Sequence, residues 1–245
     1  MMKKTVGFIG AGNMASAIVH GMVNSGSFTG EEIEIFDKDE AKVRTLCEKT
    51  GVSAAKDNAQ LIKDCGCIVL AVKPNALPEL LKENGETMAD ENTFVISIAA
   101  GQSTERLKNM IGFDVPIVRV MPNVNALAGQ AISGYTKNEF VSEEQLSLAK
   151  KLLGCFGKCV AIDESLFSVF SAVAGCSPAY VYLFANALSS VGVRDGMTKQ
   201  ESLKLVCEQM KETCESLTDG EPENGELEKI VKKALQAAYD KDAGM

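Results

Sequence analysis

Uninterrupted apolar runs alternate with segments of helical spacing over residues 1–162. Such runs are typical of strands buried on both faces, as in a parallel sheet covered by helices. Strands are predicted at residues 6–9, 32–36, 67–72, 94–98, 116–120 and 158–162. Helices are predicted at residues 13–24, 41–50, 58–63 and 143–153. The alternation predicts an α/β domain over residues 1–162, built on a doubly wound parallel sheet.

The pattern changes beyond residue 163, where no further strand is predicted and apolar residues recur at helical spacing. Helices are predicted within 166–191, 203–217 and 227–239, with linker composition at 218–225. The segment 167–188 is apolar nearly all round and must be buried, which a domain of about 80 residues cannot achieve alone. Residues 163–245 are therefore predicted to form an all-helical domain that assembles a homodimer or a higher homo-oligomer.

A glycine-rich turn stands between the first predicted strand and the first predicted helix. Gly10, Gly12 and Ala15 fit the G-x-G-x-x-G/A spacing of dinucleotide-binding sites. Gly10 permits a tight turn, Gly12 lets the backbone approach the phosphates, and Ala15 keeps the helix near the strand. The motif alone is weak evidence, but it occurs here in the strand–turn–helix context of a Rossmann-type domain. The helix N-terminus then offers free N–H groups to a pyrophosphate.

Residues at the carboxyl ends of the strands are candidates for the site, because ligands of doubly wound sheets bind there. Asp37 and Lys38 follow the second strand. A carboxylate there would bind the ribose 2′-hydroxyl of NAD, and a cation would bind the 2′-phosphate of NADP. Because the two residues are adjacent, the sequence leaves the cofactor preference open. Lys73 follows the next strand, where it either contacts a ligand or solvates the strand end.

Composition and charge narrow the classes of partner. The 245 residues carry a net charge of −8, which argues against nucleic acid. No uninterrupted apolar run approaches about 18 residues, so no membrane-spanning helix is predicted. The eight cysteines include no C-x-x-C pair, so no metal site is predicted. Numerous thiols without a secretion signal predict a reducing, cytoplasmic location.

Five segments together resemble the pyrroline-5-carboxylate reductase family. They are residues 7–18 (GFIGAGNMASAI), 71–74 (AVKP), 97–101 (SIAAG), 118–123 (VRVMPN) and 174–180 (AGCSPAY). The Met-Pro-Asn and Pro-Ala-Tyr segments are specific to that family rather than to Rossmann domains in general. The resemblance implies a two-domain enzyme that reduces the cyclic imine 1-pyrroline-5-carboxylate to L-proline with NADPH or NADH, the last step of proline biosynthesis.

The resemblance also implies roles for individual residues. The pyrophosphate would be held by Gly10, Gly12, Asn13 and Met14, the adenosine side lined by Asn58, Ala71, Val72 and Lys73, and the nicotinamide side by Ala99, Ala100 and Asn123. The candidates for substrate binding are Ser171, Cys176 and Ser177. Ser171 stands where the family usually has threonine, and Cys176 and Ser177 replace its usual serine and glycine. No catalytic side chain is implied; water, a hydroxyl or an already protonated substrate would supply the proton.

One departure from the family concerns the substrate site. After the helix that ends near residue 217, the family normally continues with another helix and a Ser-Pro-Gly-Gly-Thr-Thr type loop that holds the substrate carboxylate. No Pro-Gly-Gly occurs in this sequence. Either the chain is a divergent relative that binds the cofactor and reduces the imine poorly, or the sequence lacks a segment that the native protein has.

Two other functions stay open from the sequence. A non-catalytic dinucleotide-binding or sensing dimer would account for the missing loop. A 3-hydroxyacid dehydrogenase-like enzyme also pairs a Rossmann domain with a helical one, but it would require a catalytic lysine on the long helix after the domain boundary. Residues 163–193 contain no lysine, so this alternative ranks lower.

Overall fold

The computed structural model describes residues 4–216 and, beyond them, residues 233, 236, 237 and 240. The described part is built around one sheet. Its strands are β1 (Lys4–Ile9), β2 (Ile33–Phe36), β3 (Ser53–Ala54), β4 (Cys65–Leu70), β5 (Phe94–Ser97), β6 (Ile117–Met121), β7 (Ala131–Lys137) and β8 (Gly157–Ala161). Their order is β3-β2-β1-β4-β5-β6-β7-β8, so the chain reverses direction across the sheet between β1 and β4. Ligands of such sheets bind in the crevice at that reversal.

The strands from β1 to β6 are parallel, but the last two run the other way. β7 pairs antiparallel with β6, and β8 is parallel to β7. The sequence-based expectation of a parallel sheet throughout is wrong at this edge. The short connection over residues 122–130 explains the reversal, because a parallel crossover takes about a dozen residues or more.

Helices cover both faces of the sheet and continue beyond its last strand. They are α1 (Asn13–Asn24), α2 (Glu40–Thr50), α3 (Asn58–Asp64), α4 (Leu77–Asp90), α5 (Thr104–Ile111), α6 (Glu143–Gly154), α7 (Phe167–Phe170), α8 (Ser177–Arg194) and α9 (Lys199–Ser216). Successive side chains of β1 enter opposite cores: Phe8 packs in the core that contains Ile18 of α1, and Ile9 packs in the core that contains Leu81 of α4. This two-sided burial is why the strands have continuous apolar sequences.

The strands and helices predicted within residues 1–162 are present, with ends shifted by up to two residues. α9 begins four residues before the helix predicted at 203–217, and the helix predicted within 166–191 is divided into α7, a π-helical turn and α8. The sequence reading missed four elements: β3, α4, α5 and β7. The predicted linker at 218–225 lies outside the described residues, as does the predicted helix at 227–239 apart from residues 233, 236 and 237. Cys207 and Cys214 are exposed on α9. The eight cysteines, all within the described part, form no disulfide.

The helical part after β8 exposes much apolar surface in the isolated chain. A π-helix, Ser171–Gly175, joins α7 to α8. Leu183 and Phe184 on α8 are 69% and 45% exposed. By length and composition alone, Glu164–Arg194 could cross a membrane. The sequence-based expectation of no such segment counted only uninterrupted apolar residues, whereas this stretch contains scattered small polar ones; one helix of this kind is weak evidence for a membrane span.

Candidate active site

The glycine turn after β1 has the geometry of an anion-binding loop. Gly10 adopts a φ of +109°, and a Cβ there would lie 2.6 Å from the carbonyl oxygen of Ala71. A Cβ at Gly12 would meet no atom within 4 Å. Gly12 precedes α1 without a side-chain cap, so the first N–H groups of the helix are open to an anion. The turn therefore combines a fixed bend with free space in front of a helix N-terminus.

Asp37 ties the end of β2 to the glycine turn. Its Oδ2 accepts a hydrogen bond from the N–H of Ala11 at 2.7 Å, and its Oδ1 accepts one from the N–H of Asp39 at 2.9 Å. The N–H of Gly10 donates to the carbonyl oxygen of Phe36 at 2.8 Å. Lys38, the next residue, is exposed. These bonds hold the carboxylate of Asp37 in one orientation at the mouth of the crevice.

A cavity of about 210 Å³ lies between the ends of β1, β2 and β4. Its lining includes Gly10, Asp37, Lys38, Asn58 and Val72, together with Glu79 and Glu83 of α4. The Oδ1 atom of Asn58 is buried and has no hydrogen-bond partner among the described residues. An unpaired buried acceptor is costly, so a donor from a ligand is expected there. The open space at Gly12 and this unpaired acceptor both fit a bound dinucleotide.

The other cofactor candidates lie around the ends of β1, β4 and β5. Asn13 is exposed at the first position of α1, and Met14 is half-buried behind it. Ala71 lies directly under Gly10, and Lys73 is exposed just before a short 3₁₀ turn. Within the segment after β5, Ala99 is buried in the core and Ala100 is half-buried. Ala99 can therefore offer a ligand little besides its backbone.

Asn123 joins the end of β6 to the helical part. Its Nδ2 donates to the carbonyl oxygen of Ala174 at 3.0 Å, and its Oδ1 accepts from the N–H of Asn125 at 3.2 Å. The Oδ1 of Asn125 in turn accepts a hydrogen bond from the hydroxyl of Tyr182 at 2.7 Å. The Nδ2 end of Asn123 thus holds the helical part directly, and its Oδ1 end caps the short 3₁₀ helix that carries Asn125.

The substrate candidates cluster where the π-helix meets α8. Ser171 is buried at the start of the π-helix, and its carbonyl oxygen accepts the N–H of Cys176 at 2.8 Å. Cys176 and Ser177 are half-buried at the beginning of α8. A Cβ on Gly175 would lie 3.2 Å from Cε of Met121, the last residue of β6. Single π turns inside helices often occur at functional sites, and this one lies against the carboxyl end of the sheet.

A network that the sequence did not indicate lies behind this junction. Arg119 of β6 is buried, and its Nη1 lies 3.2 Å from Oε1 of Glu164. Glu164 also accepts the N–H and the hydroxyl of Thr104, at 2.9 and 2.7 Å. The guanidinium of Arg119 lies 4.2 Å from the ring centre of Phe167. An arginine inside an otherwise apolar strand was the available signal, because a buried cation needs a partner.

The buried thiols lie at the opposite end of the strands. Burial raises the pKa of Cys65 to about 12 and raises the pKa of Cys67 further. Burial also raises the pKa of Glu34, to which the Sγ of Cys65 donates a weak hydrogen bond. Thiols with raised pKa values are poor nucleophiles, so these residues serve packing.

Comparison with known proteins defines the class. Residues 5–101 match the family model described as NADP oxidoreductase, coenzyme F420-dependent, and residues 164–231 match the model for pyrroline-5-carboxylate reductase dimerisation. The protein is therefore an oxidoreductase that uses a nicotinamide dinucleotide and carries the dimerisation domain of a homo-oligomer.

The relatives identify the family within this class. The pyrroline-5-carboxylate reductase of Escherichia coli is 30% identical over 94% of this chain and 85% of its own length, and that of Aquifex aeolicus is 33% identical over 91% and 81%. This chain belongs to the pyrroline-5-carboxylate reductase family.

Solved structures agree. The Coxiella burnetii pyrroline-5-carboxylate reductase superposes with a TM-score of 0.86 at 26% identity, covering 100% of this chain and 98% of that one. The Plasmodium falciparum pyrroline carboxylate reductase with NADP bound gives the same values. The resemblance seen in the five sequence segments is confirmed.

Proposed function

We propose that this protein reduces 1-pyrroline-5-carboxylate to L-proline with NADH or NADPH, in the cytoplasm. The observation that carries the proposal is the crevice itself. An anion-binding glycine turn and an unpaired buried acceptor at Asn58 face the end of the sheet, against which the dimerisation domain packs its π-helix. Eight unpaired thiols support a reducing compartment.

The cofactor is assigned to the glycine turn and the adjoining cavity. Its pyrophosphate lies against the turn at Gly10, Gly12, Asn13 and Met14, where the N–H groups and dipole of α1 attract negative charge. Its adenosine part would occupy the cavity beside Asn58 and Val72, with Ala71 and Lys73 next to Val72 in the chain. Its nicotinamide part lies beside Ala99, Ala100 and Asn123, where small side chains leave room for a flat ring.

The reaction needs position more than it needs ionisable side chains. When bound, the cofactor would supply the hydride that the imine carbon accepts, and the ring nitrogen would take up a proton. The chain's own residues hold the ring and keep water out. His20, the only histidine, is half-buried along α1. The protonated form of the imine is the simplest proton source, and no side chain is assigned as an acid.

The substrate is placed at the junction of the π-helix and α8, next to Ser171, Cys176 and Ser177. This position lies against the end of β6 through the contacts of Gly175 and Asn123. Residues 1–162 then bind the cofactor, and residues 163–245 supply the substrate side and the dimer contact. The two parts meet across the active site.

The exposed apolar surface of α8 and α9 is proposed to pack against a second copy of the chain. A cavity of about 650 Å³ between these helices is lined by Phe184, Leu188, Val191 and Met210, among others. Exposed patches of this kind mark protein interfaces or membrane contact. The dimerisation family of residues 164–231 favours a second copy over a membrane. Neither nucleic acid nor a membrane is included among the proposed partners.

A second candidate, a dimer that binds the cofactor without turnover, is favoured by one observation. The sequence contains no Pro-Gly-Gly, so it lacks the loop expected to hold the substrate carboxylate. The test is to measure NADH and NADPH oxidation with 1-pyrroline-5-carboxylate, and cofactor affinity in parallel. Oxidation with equimolar proline formation supports the reductase. Normal cofactor affinity without proline formation supports the binding dimer.

A further inference from the structure

We infer that Asp37 makes the protein select NADH over NADPH. The inference rests on the proposed function, because it concerns the adenosine end of the proposed cofactor site. The sequence left this preference open, since Asp37 and Lys38 are adjacent. The structure separates the two: Asp37 is tied into the turn, whereas Lys38 is exposed.

The carboxylate of Asp37 is held in one orientation. The two oxygens of Asp37 accept hydrogen bonds from the N–H groups of Ala11 and Asp39 at 2.7 and 2.9 Å, so the group cannot swing away from the cavity that it lines. An ionised carboxylate is an acceptor only, with about four lone-pair sites, so each oxygen can accept a further bond. A ribose 2′-hydroxyl is a donor and suits this fixed acceptor. A 2′-phosphate brings further acceptor oxygens and suits it poorly.

The charge of the cavity lining also disfavours a phosphate. Its lining carries the carboxylates of Asp37, Glu79 and Glu83 and the single ammonium group of Lys38. A phosphate monoester carries about −1.5 to −2 charges at neutral pH. Two like charges about 4 Å apart near a protein surface repel enough to change affinity by about 100-fold or more.

Cationic side chains near the cavity would reverse the preference for NADH if they were free to hold a 2′-phosphate away from Asp37. Lys42 is paired with Asp39, its Nζ lying 2.9 Å from Oδ2. Arg44 and Lys56 line a neighbouring cavity, which also contains Glu40 and shares Asp37 with the first. A phosphate held by Arg44 or Lys56 would still lie near Asp37, because Asp37 lines both cavities.

The experiment measures binding rather than turnover. The full chain is titrated with NADH and NADPH by fluorescence, and with ADP-ribose and its 2′-phosphate by calorimetry. We expect the wild type to bind NADH and ADP-ribose about 100-fold more tightly than their 2′-phosphorylated forms. Asp37→Asn keeps an acceptor for Ala11 and removes the charge. This variant should reduce the ratio of the Kd for NADPH to the Kd for NADH at least about tenfold, mainly through tighter binding of NADPH.

Glu48→Gln is the matched control. It removes the same charge from an exposed side chain of α2 that lines neither cavity, and it leaves the pair of Lys42 with Asp39 intact. An unchanged ratio in Glu48→Gln supports the assignment to Asp37. Tighter NADPH than NADH binding by the wild type would overturn the inference, and it would also be overturned if Asp37→Asn left the ratio unchanged. If neither dinucleotide binds, the proposed function fails together with the inference, a result distinct from binding with the opposite preference.

Discussion

Gly10 and Gly12 stand two positions apart in the same turn, yet each is glycine for its own reason. Gly10 has a positive φ and no room for a Cβ against Ala71, so its lack of a side chain serves the fold. Gly12 has room for a side chain, so the space beside its backbone is free for the proposed cofactor. Substitution of Gly10 should therefore affect stability, and substitution of Gly12 should affect binding.

Gly12→Asp should abolish cofactor binding while the protein stays folded. An aspartate at this position is a favourable cap for α1, but its charge would meet the pyrophosphate. We expect affinity to fall at least about 100-fold and Tm to change by less than about 2 °C. Fluorescence titration and thermal unfolding measure the two effects. Gly10→Ala is the contrasting variant, and it should lower Tm through strain of about 1–3 kcal/mol. Retained NADPH and NADH affinity in Gly12→Asp would show that the pyrophosphate lies elsewhere.

Glu34→Gln should stabilise the protein at pH 8 and leave it unchanged at pH 3. Burial raises the pKa of Glu34 above its ordinary value, so ionising the group costs the folded state more than the unfolded state. The free energy of unfolding of the wild type therefore falls as pH rises from 3 to 8. The Glu34→Gln variant has no carboxyl to ionise at this position and does not show this fall. Urea unfolding at the two pH values measures the difference. An equal effect of the substitution at both pH values would contradict a raised pKa for Glu34 in the folded protein.

At the scale of elements, the predictable strands are those buried on both faces, such as β4 with its run from Cys67 to Leu70. β7 escaped prediction because its residues are mostly small or polar, with Ile132 and Tyr135 as the exceptions. Its Gly134 leaves room for the ring of Phe170, which a Cβ would approach to 2.9 Å. α4 escaped for a similar reason, since Gly85 is there to let the helix approach the backbone of Ile111. These residues are glycine because distant segments pack closely against them. Such packing leaves no periodic pattern in the local sequence.

The same limit applies to the site. Asp37 and the glycine turn could be placed from the sequence, because a strand end and a turn are local features. The partner of Arg119 could not, since Glu164 lies far along the chain and meets it only after the sheet has formed. The engagement of Asn123 with the π-helix is tertiary in the same sense.

The network between β6 and the start of the helical part should contribute measurably to stability. Glu164→Ala removes the partner of a buried guanidinium and the acceptor for Thr104. Since Glu164 is itself partly exposed, we expect a loss of about 2 kcal/mol in the free energy of unfolding. Urea unfolding of this variant, of Arg119→Met and of the double variant gives the coupling. Additive effects of the two substitutions would contradict a direct interaction.

At the scale of the whole molecule, the exposed apolar faces of α8 and α9 require a partner, and a second copy of the chain is the proposed one. Phe184→Asp should therefore shift the protein toward monomer or toward aggregation. Phe113→Asp is the matched control, because Phe113 is also 45% exposed but lies just after α5, away from the helical part. Light scattering at micromolar concentration measures both. A folded wild-type species of only about 26 kDa would contradict the proposed assembly.

The central claim is that the crevice between the glycine turn and the π-helix carries out reduction of the cyclic imine. The most direct measurement uses nicotinamide cofactor deuterated at the transferred position, together with 1-pyrroline-5-carboxylate, and analyses the proline by mass spectrometry. We expect proline with one deuterium at the former imine carbon, formed by the wild type and absent with Gly12→Asp. Tight cofactor binding by the wild type without labelled proline would contradict it.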